Sequence, residues 1–268
     1  MRISVVIPFR NEERHIARCL EALERQDPFE VVAIADRSSD GSAAIVRRFP
    51  SVRLLEAEGH GPYAARNSAI AATSGDVLVF TDAECEPAPD WLARIASTFE
   101  RPEVGAVLGQ RLPGRETFAL SLVNRYERAK DDYIFGGLRA HLYYGSTNNL
   151  AVRRDVLDEL DGFAERRRGA DTLLVRRLLE RRGPRAIVYA PDVKVRLLEI
   201  QRIGDYYRKQ FVYSRSMQRV SGLAPGRSLR SGERLQVWRA TGSSPVLLAL
   251  LTVGFACWEL GRWSAGRG

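Results

Sequence analysis

The stretch Gly75-Asp76-Val77-Leu78-Val79-Phe80-Thr81-Asp82-Ala83-Glu84 decides how this chain is read. The turn Ser74-Gly75 gives way to four apolar residues, and these run into two carboxylates separated by one residue. An unbroken apolar run without polar alternation suits a strand buried on both faces. Such strands belong to parallel sheets covered by helices, whose ligands sit beyond the carboxyl ends of the strands. Asp82 and Glu84 stand at that position.

Working outward, the pattern repeats. Residues 3–7 form an apolar, β-branched run stopped by Pro8, and Asn11 is expected to start a helix with Ile16, Leu20 and Leu23 on its buried face. Residues 31–35 read as a second strand, ending in Asp36-Arg37-Ser38-Ser39-Asp40-Gly41, so Asp36 is a second carboxylate at a strand end. A helix over 43–49, a third strand over 52–55 and an alanine-rich helix over 63–72 lead back to the opening stretch. Beyond it we expect a helix over 91–99, a strand over 104–108 and a helix over 117–132. A loop containing Gly145-Ser146-Thr147-Asn148-Asn149 feeds a strand ending at Val152. Helices over 155–160 and 171–182, the latter stopped by Gly183-Pro184, and a strand over 187–189 follow. The fold class is α/β, with a mostly parallel central sheet flanked by helices.

The 268 residues suffice for a large α/β domain, and 45% hydrophobic with 28% charged residues is the composition of a globular protein. The net charge of +8 comes almost wholly from arginine, the lysines being Lys130, Lys194 and Lys209. That balance suits an anionic ligand or an anionic membrane. No stretch interleaves aromatic and basic residues as a single-strand-binding face does, so nucleic acid is not an expected partner. Cys19, Cys85 and Cys257 are too scattered for a disulfide framework or a zinc cluster, which favours a reducing cytosolic setting. His15, His60 and His141 lack metal-ligand spacing. The amino terminus reads as a strand and not as a signal peptide.

The last third changes character. Residues 200–220 mix Tyr206, Tyr207, Phe211 and Tyr213 with Arg202, Arg208, Lys209, Arg215 and Arg219, and residues 223–234 read as a Gly/Ser/Arg-rich loop. Residues 241–258 carry no charge, which fits either a membrane-inserted or re-entrant helix or a helix packed on the globular domain. The expected division is a catalytic domain over 1–222, a basic juxtamembrane segment over 223–244, and a C-terminal hydrophobic, membrane-associating helix over 245–268.

Asp82 and Glu84 have the oxygen ligands that Mg²⁺ or Mn²⁺ prefers, and such an ion takes its remaining ligands from a diphosphate and water. A solvated acidic turn is the bland alternative for a bare Asp-x-Glu. The strand leading into it, and the second carboxylate at Asp36, favour a site.

The segment Val5-Val6-Ile7-Pro8-Phe9-Arg10-Asn11-Glu12-Glu13 resembles the opening of the family 2 glycosyltransferases, whose first strand ends in Pro-x-x-Asn-Glu. Asp36-Arg37-Ser38-Ser39-Asp40-Gly41-Ser42 is similar to that family's Asp-Asp-Gly-Ser-x-Asp-Gly-Thr turn. Ala65-Arg66-Asn67, Gly75-Asp76, Thr81-Asp82-Ala83-Glu84, Asp161-Gly162-Phe163-Ala164-Glu165 and Ala170-Asp171 follow in family order. The resemblance implies a GT-A fold, a nucleoside-diphosphate sugar donor, a divalent cation and an inverting transfer to a hydroxyl acceptor, lipid-linked or part of a cell-envelope glycan. By position it implies that Pro8, Arg10, Glu12 and Asp36 line the nucleoside pocket, that Arg66 and Asp82 approach the donor, that Asp82 and Glu84 hold the metal, and that Asp171 is the general base. The cysteine usage and the C-terminal apolar helix together lead us to expect a catalytic domain at the cytoplasmic face of a membrane.

Three departures stand out. Ala35 replaces the first aspartate of the Asp-Asp pair. Arg37 replaces a glycine, so a different backbone conformation is expected there. Ala170 replaces the glutamate before the base, which removes an orienting or acceptor-binding carboxylate and keeps open a catalytically silent, nucleotide-sugar-binding scaffold. A nucleotidyltransferase is the other alternative, though no Gly-rich, basic phosphate loop follows the first strand. At 210–215, Tyr213 and Ser214 stand where processive polymer synthases carry Arg-Trp. An amphipathic interfacial helix is the competing reading there.

Overall fold

A computed structural model of the chain describes residues 1–59, 61–166, 168–218 and 229–265. In chain order the strands and helices are β1 (Ile3–Phe9), α1 (Ile16–Glu24), β2 (Glu30–Ala35), α2 (Ser42–Val46), β3 (Val52–Glu56), α3 (Pro62–Ala72), β4 (Val77–Phe80), β5 (Cys85–Pro87), α4 (Trp91–Thr98), β6 (Ala106–Pro113), α5 (Phe118–Asp131), β7 (Leu150–Arg153), α6 (Arg154–Glu159), α7 (Ala170–Arg182), β8 (Ile187–Leu197), α8 (Ile203–Gln218), α9 (Ser231–Ala240) and α10 (Pro245–Ala265). They form two compact units, each discontinuous in sequence. The first contains residues 1–111 and 144–197, the second residues 112–143 and 198–268.

The eight strands lie in the order β3-β2-β1-β4-β7-β6-β8-β5. Strands β1 to β4 pair in parallel, as their apolar runs and intervening helices predict. Every residue of β1 is buried, whereas β3, at the edge, is half exposed. Pro8 fits inside β1 because β4 pairs with it only as far as Val6, so the missing N–H breaks no ladder bond on that side. The other half departs from a parallel arrangement: β7 is antiparallel to β4 and β6, and the three-residue β5 is antiparallel to β8. The antiparallel course of β7 makes its entry, Thr147-Asn148-Asn149, lie at the sheet edge where β4 ends.

Asn149, expected in a loop, is a buried tie. Its side chain accepts from Trp91 Nε1 at 2.9 Å and donates to the carbonyls of Gln110 and Val193, each at 2.9 Å. One amide thus satisfies α4, β6 and β8 together. Asn11 also departs from expectation: its φ is +56°, and the first helix begins only at Ile16. Arg37 keeps a φ of +56°, the region a glycine would occupy, at a cost of about 1 kcal/mol.

In the second unit Leu122, Tyr126, Val237 and Leu247 form a core. Helix α10 packs against α8 through Gly254 and Gly261, seven residues apart on one face. A Cβ at Gly261 would collide with Ser214 Oγ and the Phe211 carbonyl. Tyr207 donates to the Leu250 carbonyl at 3.1 Å, and Tyr206 donates to Glu127 at 3.1 Å. The remaining face of α10 exposes Val246, Leu248, Val253, Phe255, Leu260 and Trp263. This 21-residue helix is long and apolar enough to cross a membrane, by length and composition alone. Residues 231–234, expected as loop, belong to α9, where Glu233 accepts from the Arg230 N–H at 2.6 Å. Residues 223–228 of that expected loop, Arg219 and His60 lie outside the described residues.

Replacing Asn149 by alanine leaves the Trp91 N–H and two buried carbonyls without partners. Urea unfolding is expected to show a loss of about 3 kcal/mol or more, since each unsatisfied buried group costs about 1–3 kcal/mol.

Candidate functional site

Because β1, β2 and β4 are parallel neighbours, their carboxyl ends share one edge of the sheet. The loops after β1 and β2 are joined there by hydrogen bonds. Asn11 N–H donates to Ser38 Oγ at 3.1 Å, and Ser39 N–H donates to Asn11 Oδ1 at 2.8 Å. Glu12 N–H donates to Ser42 Oγ at 2.8 Å, and Gly41 N–H donates to Glu13 Oε2 at 2.9 Å. Asn11 therefore serves the loop and caps no helix. Pro8 is buried, Arg10 exposed and Glu12 half-buried beside His15 Nδ1 at 3.0 Å. Asp36 is buried directly after β2, its N–H bonded to the Phe9 carbonyl at 2.8 Å.

At the end of β4 the chain makes a tight turn, Cys85 N–H donating to the Asp82 carbonyl at 2.9 Å. Ala83 is buried in that turn, and Asp82 and Glu84 are half-buried on either side of it. Thr81 Oγ1 donates to the Asn148 carbonyl at 3.1 Å, which ties the turn to the entry of β7. Helix α3 supplies the partner of Asp82: Arg66, only 2% exposed, places Nη2 2.5 Å from Asp82 Oδ1. Arg66 Nη1 donates to the Pro62 carbonyl at 3.2 Å, while its Nε is buried without a partner. Asn67, the next residue, holds the loop at Phe163 with two bonds, its amide donating to the Phe163 carbonyl at 2.7 Å and its oxygen accepting from the Phe163 N–H at 2.9 Å.

Asp171 lies in the first turn of α7. Its Oδ1 accepts from Thr172 N–H at 2.8 Å and its Oδ2 from Thr147 N–H at 3.4 Å. Tyr63, in the first turn of α3, is a further group that favours the charged form of this carboxyl. Surrounding protein pushes the Asp171 carboxyl above the usual carboxylate range, against the opposing pull of these donors and of Arg66. Gly145 is needed here, because a Cβ would meet the Asp171 carbonyl at 2.4 Å.

The structure thus brings Pro8, Arg10, Glu12, Asp36, Asp82 and Glu84 to one edge, with Arg66 behind Asp82 and Asp171 against the entry of β7. Sequence reading did not single out Tyr63 or Thr147. Among the described residues no group of three or more His, Cys, Asp or Glu gathers as a metal cage. Two carboxylates flanking a turn fit a cation that draws its other ligands from a diphosphate and water. The Cys19 and Cys85 thiols are excluded from that role. Burial first, then the nearby carboxylates of Glu84 and Asp82, push both thiols up and keep them protonated.

The profile of glycosyl transferase family 2 matches residues 4–170. Glycosyltransferase AglE of Haloferax volcanii is 29% identical over 256 residues, spanning 91% of this chain and 81% of the relative. A mannosyltransferase from Pyrobaculum calidifontis, solved with GDP-Man and Mn²⁺, superposes with a TM-score of 0.60 at 22% identity, over 99% of this chain and 83% of its own. Glucosyl-3-phosphoglycerate synthase from Mycobacterium tuberculosis, solved with Mn²⁺, UDP-Glc and phosphoglyceric acid, gives 0.56 at 22% identity, over 72% of this chain and 70% of its own. The fold shared with these structures is GT-A.

Asp82→Ala leaves the Arg66 guanidinium buried and unpaired. We expect chemical denaturation without ligand to show a loss of about 2–3 kcal/mol, somewhat below the cost for a wholly buried pair because the Asp82 side chain is 24% exposed. Adding Arg66→Met to that variant is expected to restore most of the loss.

Proposed function

This chain belongs to glycosyl transferase family 2 and is a glycosyltransferase, and from that premise we propose that it transfers one sugar, with inversion, from a nucleoside-diphosphate sugar to a hydroxyl acceptor. The observation that carries the reading is the meeting of two kinds of carboxylate in one unit. Asp36, Asp82 and Glu84 lie at the carboxyl edge of the parallel strands, and Asp171 is held apart by neutral donors at the start of α7.

In this reading Pro8, Arg10, Glu12 and Asp36 receive the nucleoside, and Arg10 adds a cation to the rim of the pocket. Arg66 fixes the Asp82 carboxylate toward the donor. Asp82 and Glu84 would hold a divalent cation, Mg²⁺ or Mn²⁺, which when bound neutralises charge on the departing diphosphate. Asp171 takes the proton of the acceptor hydroxyl. The acceptor oxygen bonds to the anomeric carbon as the bond from that carbon to the diphosphate oxygen breaks, the electron pair leaving with the diphosphate. Attack from the opposite face inverts the anomeric centre, and Asp171 then returns its proton to solvent. A carboxyl pushed up by its surroundings suits a base better than an ordinary one.

The acceptor we propose is lipid-linked or part of a cell-envelope glycan, and the setting is the cytoplasmic face of a membrane. The exposed apolar face of α10 supports a membrane setting.

Thermal-shift titration with UDP and GDP, each with and without Mn²⁺, tests the donor assignment. At least one is expected to raise Tm, and the failure of every nucleoside diphosphate to do so would sink it. Asp171→Asn is expected to lower transfer about 10²–10⁴-fold while leaving nucleotide binding intact. The same variant is expected to have a higher Tm at pH 7. The folded Asp171 holds its proton more tightly than the unfolded one, so ionising it costs stability above the unfolded pKa of about 3.9, and the difference vanishes below that pH. Glutamate at Leu248, Phe255 and Leu260 together leaves the packed Gly254 and Gly261 face untouched. Loss of membrane recovery on fractionation is expected, and unchanged recovery would exclude this face as the anchor.

A further inference from the structure

Helix α8 runs alongside α10 in the same direction, with Tyr206 and Tyr207 against Gly254 and with Phe211 and Ser214 against Gly261. The contact is close. A Cβ on Gly254 would lie 3.4 Å from the Tyr206 ring, and Tyr207 ties the two helices by its bond to the Leu250 carbonyl. Whatever depth α10 takes in a membrane, α8 shares it. Gly254 and Phe255 stand at the middle of Pro245–Ala265, and charge gathers at that level. Arg208 follows Tyr207 and is exposed, as is Arg215 directly after Ser214. From α9, the Arg234 guanidinium lies 4.8 Å from the centre of the Phe255 ring. From α5, Glu127 accepts from the Tyr206 hydroxyl and pairs with Lys130. A helix crossing the bilayer would carry this level to its centre, where charged side chains are costly. Length points the same way. The uncharged part of α10 ends at Trp258, before Glu259 and Arg262, which pair at 3.3 Å. From Pro245 to Trp258 the helix covers about 21 Å, against about 30 Å of hydrocarbon.

We infer that α10 lies in the plane of the membrane–water interface and does not cross the bilayer. It sinks its exposed apolar face into the boundary between headgroups and acyl chains of an anionic leaflet, while α8 stays on the water side; the inference rests on the reading of α10 as the membrane-facing element. The exposed side chains are arranged for that placement. Val246, Val253 and Leu260 recur at every seventh position, as do Leu248 and Phe255, so the apolar rows follow the helix axis outside the packed glycine face. Arg208 and Arg215 then keep their water, and the Glu127–Lys130 pair stays out of the hydrocarbon. Arg234 stands beside Phe255 at the edge of the apolar face, where its guanidinium meets lipid phosphate. Trp263, exposed in the last turn, has the amphipathic ring that favours the same layer. The net charge of +8 draws the chain to an anionic surface.

A depth measurement separates the two placements. In the full chain, Cys257→Ala leaves only the buried thiols of Cys19 and Cys85. Val246→Cys, Val253→Cys or Leu260→Cys is added singly, spin-labelled, and bound to vesicles of about 70% phosphatidylcholine and about 30% phosphatidylglycerol. Relaxation by oxygen and by an aqueous nickel chelate is expected to place all three labels at one depth, about 5–10 Å below the phosphates. A label at position 253 near the bilayer centre, with those at 246 and 260 shallower on opposite sides, overturns the inference and leaves the membrane reading standing. Labels that stay open to the chelate with vesicles present overturn both, as do labels already shielded before vesicles are added, the result a second copy of the chain would give. Arg234→Gln is expected to weaken partitioning into the same vesicles about fivefold. Unchanged partitioning overturns the placement of that guanidinium among the phosphates.

Discussion

A guanidinium that has given up its water needs a carboxylate, and in this chain the need of Arg66 fixes where Asp82 points. The cation is almost wholly buried, and Asp82 is the carboxylate the structure sets against it. Breaking such a pair by removing one partner costs more than forming it gains, so the two residues constrain each other strongly. The constraint spreads from there. Arg66 is carried by α3, the turn after β4 is tied to the entry of β7 through Thr81 and Asn148, and that entry donates through Thr147 to Asp171. Residues 63, 66 and 67 share one helical face, at spacings of three and four. They reach two segments far apart in sequence: Arg66 holds Asp82, while Tyr63 and Asn67 meet Phe163.

The loops after β1 and β2 are held by a different device. Asn11 and Arg37 both sit in the left-handed region, and the chain accepts that strain without a glycine at either place. Asparagine tolerates the conformation well, and its side chain bonds the facing loop at Ser39. Arginine has no such compensation in its backbone preference. The cost at Arg37 is about 1 kcal/mol, small against the cross-loop bonds that link Asn11, Glu12 and Glu13 to residues 38–42. Arg37 thus takes a conformation that glycine adopts most readily.

What the residues reveal on their own follows from how local the determinants are. Strands β1, β2 and β4 are buried on both faces, so their apolar runs stand out, and the carboxylates at their ends could be placed before any coordinates. The three-residue β5 has no periodicity to recognise, and the antiparallel course of β7 depends on pairing and not on composition. Asn149 reads as a loop residue because its three partners come from three elements distant in sequence. The stretch 231–234 reads as a loop because Gly, Ser and Arg dominate it, yet the bond from the Arg230 N–H to Glu233 and the burial of Val237 support a helix. The ordered motifs pointed to Asp171, whereas Thr147 carries no local sign that its N–H donates to that carboxylate.

The two carboxylates nearest the proposed chemistry are surrounded in opposite ways. Asp82 faces a fixed cation, which keeps its carboxylate aimed. Asp171 is held chiefly by neutral donors in surroundings that push its carboxyl up, which keeps it aimed while leaving it able to take a proton. Glutamate at position 170 would have brought a second negative charge beside Asp171, in a fully buried place. Alanine leaves that charge out. The division of labour between donor side and acceptor side therefore rests on what holds each carboxylate, a guanidinium for Asp82 and the Thr147 and Thr172 N–H groups for Asp171.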